Sequence, residues 1–438
     1  MEIRSRFPFF RKNNYTYLDS AATTQVPDVV IQGISQVLEY RGNPNRSAHV
    51  TAVRNEELLN EARNNIAKFL SAQAQEIVFS SNATGAINLA VDSIAHLIKK
   101  GDEIIISVAE HNSNILPYLK LVKNGAKIKF VGIKDGIIDT DEVKSLLNGN
   151  TKIVAIAHCS NVLGNINNVE EIGDIIKDFN ENIFYFIDGT QAVAHVPVDV
   201  KKNKADFYVF SSHKMYGPDG VGVLYINNFI HHLLAPIQAG GGTVKNIAVT
   251  YGRDKDIVSP EYHQSLQKLE GGTPNTSNIL GLSKAVNYIR SIGIEEIRNH
   301  ELKLLVHLLD GLKKFEEITV FGPTDLNNKI GLVSFGLNGY SVKELGEFFA
   351  KKKICVRYGA HCAFPLAEKL GQESLRVSFG IYNEIEDVDH ILEEMKFFFD
   401  SKKGLVINQN LELLKNNVFY KNTVIVHSFE SHTSNNRD

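Results

Sequence analysis

The chain has 438 residues, of which 43% are hydrophobic and 22% are charged, as expected for a globular protein with a large core. Its 47 basic and 50 acidic residues give a formal net charge of −3, which indicates neither a nucleic-acid partner nor an anionic membrane. No stretch approaches the roughly 20 apolar residues that span a bilayer, and the first residues contain no apolar run of signal-peptide length. We therefore expect a cytoplasmic protein with no nucleic-acid and no membrane partner.

The three cysteines do not form a disulfide framework, because an odd number leaves at least one thiol free. Cys355 and Cys362 lie seven residues apart and Cys159 is distant, which is not the paired spacing of a zinc site. The sequence therefore predicts no disulfide core and no metal site.

Between about residues 60 and 230, short β-rich runs alternate with amphipathic stretches. The predicted helices cover residues 57–70, 84–98, 115–125 and 169–182. The predicted strands cover residues 76–81, 102–109, 126–133, 152–158, 183–188, 205–212 and 221–226. Strands separated by helices of this length predict an α/β fold with a mainly parallel sheet between helices.

The pattern changes after about residue 275. Residues 278–315 are helical in pattern with glycine breaks, and three strand candidates at 331–337, 354–359 and 374–382 precede a closing helix at 384–400. We predict a large domain at 15–275, a smaller α+β C-terminal domain at 276–400 together with 1–14, and a C-terminal extension at 401–438. The extension is polar except for the run VFYKNTVIVHSF, its last residues have a disordered composition, and its role is open.

Two residues at predicted strand ends carry the first chemical signal. DFYVFSSHKMYGPDGVG places Lys214 between an apolar strand and a glycine–proline turn, where burial disfavours its charge and suits an amine that forms a Schiff base. IFYFID ends in Asp188, at the end of a strand where α/β sheets bind ligands. Pyridoxal phosphate requires both a lysine for its aldehyde and a carboxylate for its ring nitrogen. The alternatives are a surface lysine, and an Asx turn or helix cap at Asp188.

Three further residues extend this pattern. EIVFSSNATGAINLA begins a helix whose free N–H groups favour an anion, with the Thr84 hydroxyl beside it, although an ordinary N-cap looks similar. His111 follows a strand and could stack on a flat ring and move protons, or serve a structural role. Arg376 could bind a substrate carboxylate bidentately, or form a surface ion pair.

The stretch RYGAHCAFPL contains Cys362, which is either a nucleophile on a loop or a small apolar residue filling space. A nucleophilic thiol reacts as the thiolate, so its usual pKa of about 8.5 must be lowered or its proton removed locally. His361 and Arg357 are the neighbouring candidates for this role.

Taken together, these residues resemble the SUF-type, or group II, cysteine desulfurases of the class V aminotransferase family of pyridoxal-phosphate enzymes. The matching motifs span about residues 15–400 and are YLDSAATTQVP, NPNRSAHV, EHNSNILP, SNVLGNI, DGTQAVAHVPVDV, FSSHKMYGP, GGTPN, RYGAHCAFPL and RVSFGIYN. The resemblance implies the fold-type I pyridoxal-phosphate transferase architecture.

The resemblance also implies residue roles. Lys214, His111 and Cys362 would be catalytic, with the sulfur carried on Cys362. The residues that would bind pyridoxal 5'-phosphate are Lys214, Asp188, Gln191, Ala83, Thr84, Ser211, His213, Thr273 and His111. Asn161 and Arg376 would hold the substrate carboxylate, with Arg357 nearby. Thr273 would reach the phosphate of a neighbouring subunit, which implies a homodimer.

The implied reaction converts L-cysteine to L-alanine, leaving a persulfide on Cys362 for a sulfur-acceptor protein, as in iron–sulfur cluster assembly. A selenocysteine lyase, a C–S lyase or another class V enzyme of a specialised pathway remains an alternative, as does a cofactor-free scaffold. The short spacing from Cys362 to Arg376 predicts a constrained loop, which the acceptor must approach.

The sequence departs from the family pattern at several positions near the expected site. Ser212 replaces the glycine before the His–Lys pair, and Ala360 replaces the first of two histidines before the cysteine. After the phosphate-site strand, Ala83 replaces a threonine and Gly85 replaces a glutamate, so one hydroxyl is lost while the Ala83 N–H can still donate. These departures affect the expected substrate and rate more than the expected cofactor.

Overall fold

The computed structural model describes residues 3–253, 255–323 and 325–403. The helices are α1 (Pro8–Lys12), α2 (Asp28–Glu39), α3 (Val50–Phe69), α4 (Ala83–Ile94), α5 (Leu119–Val122), α6 (Thr140–Leu146), α7 (Val169–Phe179), α8 (Thr276–Ile292), α9 (Ile294–Leu312), α10 (Val342–Lys351), α11 (Phe364–Leu370) and α12 (385–403). The remainder of the predicted C-terminal extension, residues 404–438, lies outside the described residues.

The strands form two principal sheets and three short pairs. The strands are β1 (Thr16–Tyr17), β2 (Ile77–Ser80), β3 (Glu103–Ser107), β4 (Lys127–Val131), β5 (Ile133–Lys134), β6 (Ile137–Ile138), β7 (Thr151–Ala157), β8 (Phe184–Asp188), β9 (Phe207–Ser211), β10 (Gly222–Ile226), β11 (Val244–Thr250), β12 (Ile257–Tyr262), β13 (Ile318–Phe321), β14 (Leu332–Leu337), β15 (Ile354–Cys355), β16 (Arg357–Gly359) and β17 (Ser374–Ser378).

The large sheet has seven strands in the order β2-β10-β9-β8-β7-β3-β4. Only β10 runs antiparallel to its neighbours, and the other pairings from β9 to β4 are parallel. The central strands are apolar and fully buried because helices cover both faces, and a separate hydrophobic core lies on each face. The predicted α/β fold with a mainly parallel sheet is confirmed.

Each covering helix follows from local sequence. Helix α7 is an example: Asn168 caps its first turn by accepting the backbone N–H of Glu171, and two acidic residues in that turn suit the positive end of the helix dipole. Its apolar residues Ile172 and Ile176 recur at helical spacing, so they share one face and enter the core.

The smaller sheet is antiparallel, in the order β13-β14-β17-β16, and has its own core with α9, α10 and α12. The N-terminal segment lies beside it: β1 pairs in parallel with β15 as a separate two-stranded sheet, and Asp19 forms a bridge with Ser378 of β17. Helix α8 packs instead on α2 and α3, and its Ile279, Leu282 and Val286 belong to a core of the large sheet. The domain limits at 15–275 and 276–400 therefore remain a prediction. Helix α8 follows the predicted boundary in the chain but packs with the large sheet.

Several elements differ in detail from the sequence expectations. The long helical stretch at 278–315 is two helices, broken at Gly293, whose φ of 96° lies in the left-handed region. The helix expected at 115–125 is a 3₁₀ turn followed by the four-residue α5. The β11–β12 hairpin was not expected, because its exposed apolar residues, such as Val258, face no core. Within the described ranges, no helix has the length and apolar character to cross a membrane.

Candidate active site

A cavity of about 500 Å³ lies at the carboxyl edge of the large sheet, where β3, β7, β8 and β9 end together because they run parallel. The sequence-predicted site residues that line it are Ala83, Thr84, His111, Asn161, Asp188, Gln191, Ser211, His213, Lys214, Arg357, Cys362 and Arg376. Thr273 is the exception, since it lines other cavities on this chain.

Lys214 ends the 3₁₀ turn Ser212–Lys214, which directly follows β9. Its amine makes no hydrogen bond or ion pair with any described residue. Burial, reinforced by the positive charge of Arg376, lowers the pKa of Lys214 to about 8, although Asp188 acts in the opposite direction. A substantial fraction of this amine is therefore neutral near pH 8, as a nucleophile or base requires.

Asp188 is the last residue of β8 and is nearly buried. Its Oδ1 accepts the backbone N–H of Thr190 at 2.9 Å, which fixes the carboxylate at the floor of the cavity. Gln191 donates from Nε2 to the carbonyl of Ala21 at 2.8 Å, and its Oε1 is buried with no hydrogen-bond partner among the described residues. The floor thus offers a carboxylate and an unsatisfied acceptor.

His111 follows β3 and caps the turn Asn112–Asn114. Its Nδ1 accepts the N–H of Ser113 at 3.1 Å, and burial together with the charge of Lys214 lowers the pKa of His111. The ring is therefore neutral at physiological pH and carries its proton on Nε2.

The start of α4 forms the end of the cavity suited to an anion. Asn82 caps the helix by accepting the N–H of Gly85 at 2.8 Å, and the Ser211 hydroxyl accepts the N–H of Ala83 at 2.7 Å. The Thr84 hydroxyl lies 2.7 Å from that of Ser113. Hydroxyls and a helix dipole converge there, a combination that favours phosphate.

His213 also lines this end of the cavity, with Nδ1 3.3 Å from the Thr23 hydroxyl. Burial, followed by the charge of Lys214, lowers its pKa, so the ring is neutral and can donate or accept one hydrogen bond.

Two sequence departures are accommodated by their surroundings. A Cβ at Gly85 would lie 2.8 Å from the Ser81 hydroxyl, so the chain has no room there for a larger residue without rearrangement. The Ser212 hydroxyl is fully buried, and a Cβ at Gly217 would clash directly with it. Glycine at 217 therefore leaves the space that serine at 212 occupies. Nothing in the structure explains alanine at 360.

Arg376 and Arg357 are directly opposite each other on β17 and β16, an arrangement that is repulsive by itself. Asp19 lies between them and accepts from Arg357 Nη2 at 2.9 Å and from Arg376 Nη2 at 3.3 Å. Arg376 is almost fully buried, and its Nε has no hydrogen-bond partner in the part of the chain that the structure describes. Burial lowers its pKa to about 10. It remains charged and keeps one free donor, as carboxylate binding requires.

Asp19 is a site residue that the sequence reasoning missed. It follows the short strand β1 in the motif YLDSAATTQVP, where an acidic residue directly after two apolar ones was the available signal. Its role depends on the pairing of β1 with β15 and on its own bridge to Ser378 of β17, contacts between distant residues that spacing alone does not reveal.

Cys362 is exposed at the mouth of the cavity. Both His361 and Cys362 have left-handed backbone conformations, with φ of 50° and 56°, which side-chain-bearing residues adopt at a cost. Hydrogen bonds to their carbonyls help to hold them there: Asn161 Nδ2 donates to the His361 carbonyl at 2.8 Å, and the Asn112 N–H donates to the Cys362 carbonyl at 2.7 Å. The side chain of Asn161 thus positions this loop.

His361 cannot supply the positive charge suggested as one way to activate Cys362. Its Nε2 contacts Ser374, and burial followed by the charge of Arg376 lowers the pKa of His361 to about 3. The ring is therefore neutral at physiological pH. Arg357, which interacts electrostatically with Cys362, is the remaining positive candidate of the two.

The fold and site together define an α/β protein with a ligand cavity at the carboxyl edge of a mainly parallel sheet. The chain belongs to the aminotransferase class-V family, which it matches over residues 16–391. Members of this family, including the cysteine desulfurases, are pyridoxal-phosphate enzymes. The implied fold-type I architecture is confirmed by the solved structures below.

The chain is 36% identical over 402 residues to a probable cysteine desulfurase of Pyrococcus abyssi, covering 90% of this chain and 97% of that protein. A solved cysteine desulfurase from Thermococcus onnurineus has a TM-score of 0.85 and 33% identity, covering 91% of this chain and 98% of that one. The cysteine desulfurase CsdA of Escherichia coli gives a TM-score of 0.82 at 30% identity, covering 91% and 97%.

Proposed function

We propose that this protein is a pyridoxal-phosphate-dependent cysteine desulfurase, which converts L-cysteine to L-alanine and leaves persulfide sulfur on Cys362. The observation that carries the proposal is that Lys214, Asp188, Arg376 and Cys362 line one cavity. Each alone has an ordinary structural explanation. Together they provide an amine, a ring partner, a carboxylate partner and a nucleophile.

The residues present fit pyridoxal phosphate. The start of α4, with Thr84, Ser211 and His213, suits the phosphate, and Asp188 suits a protonated ring nitrogen. The buried, unpaired Oε1 of Gln191 suits the ring hydroxyl. When bound, the cofactor supplies a ring that withdraws electrons and stabilises negative charge at the α-carbon of the substrate.

A second copy of the chain completes this proposal. Thr273 lies outside the cavity on its own chain and lines another cavity with Arg41 and Pro44. In a homodimer, Thr273 of one copy closes the phosphate end of the cavity of the other. Dimer formation therefore belongs to the proposed function, and cofactor affinity would depend on it.

Lys214 holds and moves the proton in this scheme. Its depressed pKa, about 8, lets the amine accept the α-proton of the substrate near neutral pH and return a proton later. The neutral His111 lines the same cavity, where its ring would stack on the cofactor. Arg376 orients the substrate through its carboxylate, with Nε as the donor available for that contact.

Cys362 takes the sulfur. A bond forms between Cys362 Sγ and the substrate sulfur while the Cβ–S bond of the substrate breaks. The carbon skeleton keeps the electron pair of that bond and is released as alanine after protonation. Because Cys362 is exposed on a constrained loop, a sulfur-acceptor protein must approach the cavity mouth to remove the persulfide sulfur. A cytoplasmic location fits this role and remains a prediction.

Product analysis tests the proposal. Purified protein saturated with pyridoxal phosphate receives L-cysteine, selenocysteine or cystine, and alanine and enzyme-bound persulfide are measured. Cys362→Ala should keep the visible absorbance of the bound cofactor but lose alanine and persulfide from L-cysteine. Cys355→Ala, which removes a half-buried thiol, is the matched control and should keep both. Turnover of selenocysteine or cystine with none from L-cysteine would assign one of the alternative activities.

A further inference from the structure

The loop Ser160–Gly164 after β7, called the strap below, is held by side chains from the smaller sheet and the turn before it. Three consecutive strap carbonyls each accept a hydrogen bond from a different buried side chain. The bonds are Arg376 Nη1 to Asn161 at 2.9 Å, Ser334 Oγ to Val162 at 2.6 Å and Lys329 Nζ to Leu163 at 2.9 Å. The strap therefore joins the large sheet to the small one.

Lys329 is the unusual member of this set. It is fully buried, and its amine contacts only the carbonyls of Leu163 and, at 3.5 Å, Pro323. No carboxylate pairs with it among the described residues. Burial lowers its pKa to about 8, so it is largely protonated at neutral pH. A buried cation without a counterion is unfavourable unless its hydrogen bonds serve a purpose.

The strap has little freedom to move around these contacts. A Cβ at Gly322 would clash with the Leu163 carbonyl, and one at Gly164 would lie 2.5 Å from the carbonyl of Leu332. Only glycine at both positions, each with positive φ, allows the approach. The close packing fixes the carbonyl that Lys329 binds.

The strap contacts the loop that carries Cys362. The side chain of Asn161, within the strap, donates to the His361 carbonyl at 2.8 Å. His361 and Cys362 both have positive φ, a conformation that persists only where surrounding contacts impose it. Loosening the strap therefore weakens one of the hydrogen bonds that hold the Cys362 loop.

We propose that Lys329 is a positioning residue for Cys362, acting through the Leu163 carbonyl, the strap and the Asn161 side chain. The ammonium group fixes the strap, and the strap fixes the loop that presents the thiol to the substrate sulfur. This inference rests on the proposed function for the role of Cys362. The placement of the loop by the strap can be measured without any turnover.

The test compares Lys329→Met with Lys268→Met in the full chain loaded with pyridoxal phosphate. Lys268 is the matched control, because it is also a buried lysine whose amine donates to a backbone carbonyl, that of His231 at 3.0 Å, and it lies away from the strap. Hydrogen–deuterium exchange at the Asn112 amide, which donates to the Cys362 carbonyl, reports the loop directly.

In Lys329→Met, exchange at Asn112 should be about tenfold faster than in the wild type, with core amides of β8 unchanged. The kcat for alanine should fall about tenfold, by more than KM rises, because the nucleophile is misplaced while Arg376 keeps its ion pair with Asp19. Exchange of the substrate α-hydrogen with solvent should be retained, because this exchange depends on proton transfer by Lys214 and not on Cys362. Lys268→Met should match the wild type in all three measurements.

Wild-type exchange and kcat in Lys329→Met would overturn the inference, as would equal effects in Lys268→Met. If Lys329→Met does not fold, Ser334→Ala removes the neighbouring strap contact, and normal exchange and kcat in that variant would overturn the inference instead. If the wild type itself produces no alanine, the proposed function fails, and the exchange at Asn112 still decides the inference.

Discussion

Asp19→Asn removes the one carboxylate that lies between two facing arginines. The substitution keeps the size of the side chain and one hydrogen-bond acceptor but deletes the negative charge. Arg357 and Arg376 then face each other across β16 and β17 without compensation. We expect the variant to lose stability and to bind L-cysteine less well.

The magnitude follows from the burial of each arginine. The Arg357 side chain is about half exposed, at 51%, so its pair with Asp19 contributes at most about 1 kcal/mol. The Arg376 side chain is 3% exposed, and removing one partner of a buried pair costs roughly 3–5 kcal/mol. Its bond to the Asn161 carbonyl remains, and Asn keeps an acceptor, so we expect a loss near the lower end, about 3 kcal/mol.

The assay is urea unfolding followed by circular dichroism at neutral pH, alongside steady-state kinetics. Asp28→Asn is the matched control, because Asp28 also binds an arginine through two oxygens but does so at the surface. It should show no measurable loss. Asp19→Asn should also raise KM for L-cysteine more than it lowers kcat, since Arg376 is less well oriented. Wild-type stability in Asp19→Asn, or an equal loss in Asp28→Asn, would refute this reasoning.

Three further predictions concern pH and the phosphate end of the cavity. The rate at which the apoprotein captures pyridoxal phosphate should rise through pH 8 and level off above it, because neutral Lys214 is the reactive form; a rate independent of pH would contradict this. Burial lowers the pKa of His361 to about 3 from 6.5, so the unfolded state binds a proton first as pH falls. The free energy of unfolding should therefore drop below pH 6.5, by roughly 1 kcal/mol per pH unit from this residue, and His361→Asn should reduce that slope. Gly222→Ala should weaken cofactor binding at least about tenfold, because a Cβ at residue 222 would clash with the Asn82 backbone just before α4. The control Gly149→Ala, whose Cβ would lie in open space, should leave cofactor binding unchanged. Equal cofactor affinities in the two variants would count against the phosphate site at α4.

The large sheet could be predicted from the sequence because its strands are continuous apolar runs separated by amphipathic helices. The chemistry-bearing residues Lys214, Asp188 and His111 could be predicted for the same reason, since each lies at the end of such a strand or within four residues after it. Parallel strands bring their carboxyl ends to one edge, so spacing along the chain translates into a shared cavity. The β11–β12 hairpin has no such pattern, because its apolar residues are exposed.

The contacts that could not be predicted are those that join distant segments. Asp19 reaches Arg376 because β1 pairs with β15, more than 300 residues later. Lys329 reaches the strap because both lie between the two sheets. The neutrality of His361 depends on burial and on the nearby charge of Arg376, which local sequence does not encode. Tertiary packing, rather than local pattern, determines all three.

Mass spectrometry of the Cys362 peptide after a single turnover with L-cysteine, together with quantified alanine, tests directly whether Cys362 takes the sulfur of the substrate. In the wild type, we expect one added sulfur atom on Cys362 and an equal amount of alanine. We expect neither product in Cys362→Ala, which should keep the absorbance of the bound cofactor. Alanine and persulfide at wild-type levels in Cys362→Ala would show that Cys362 does not take the sulfur.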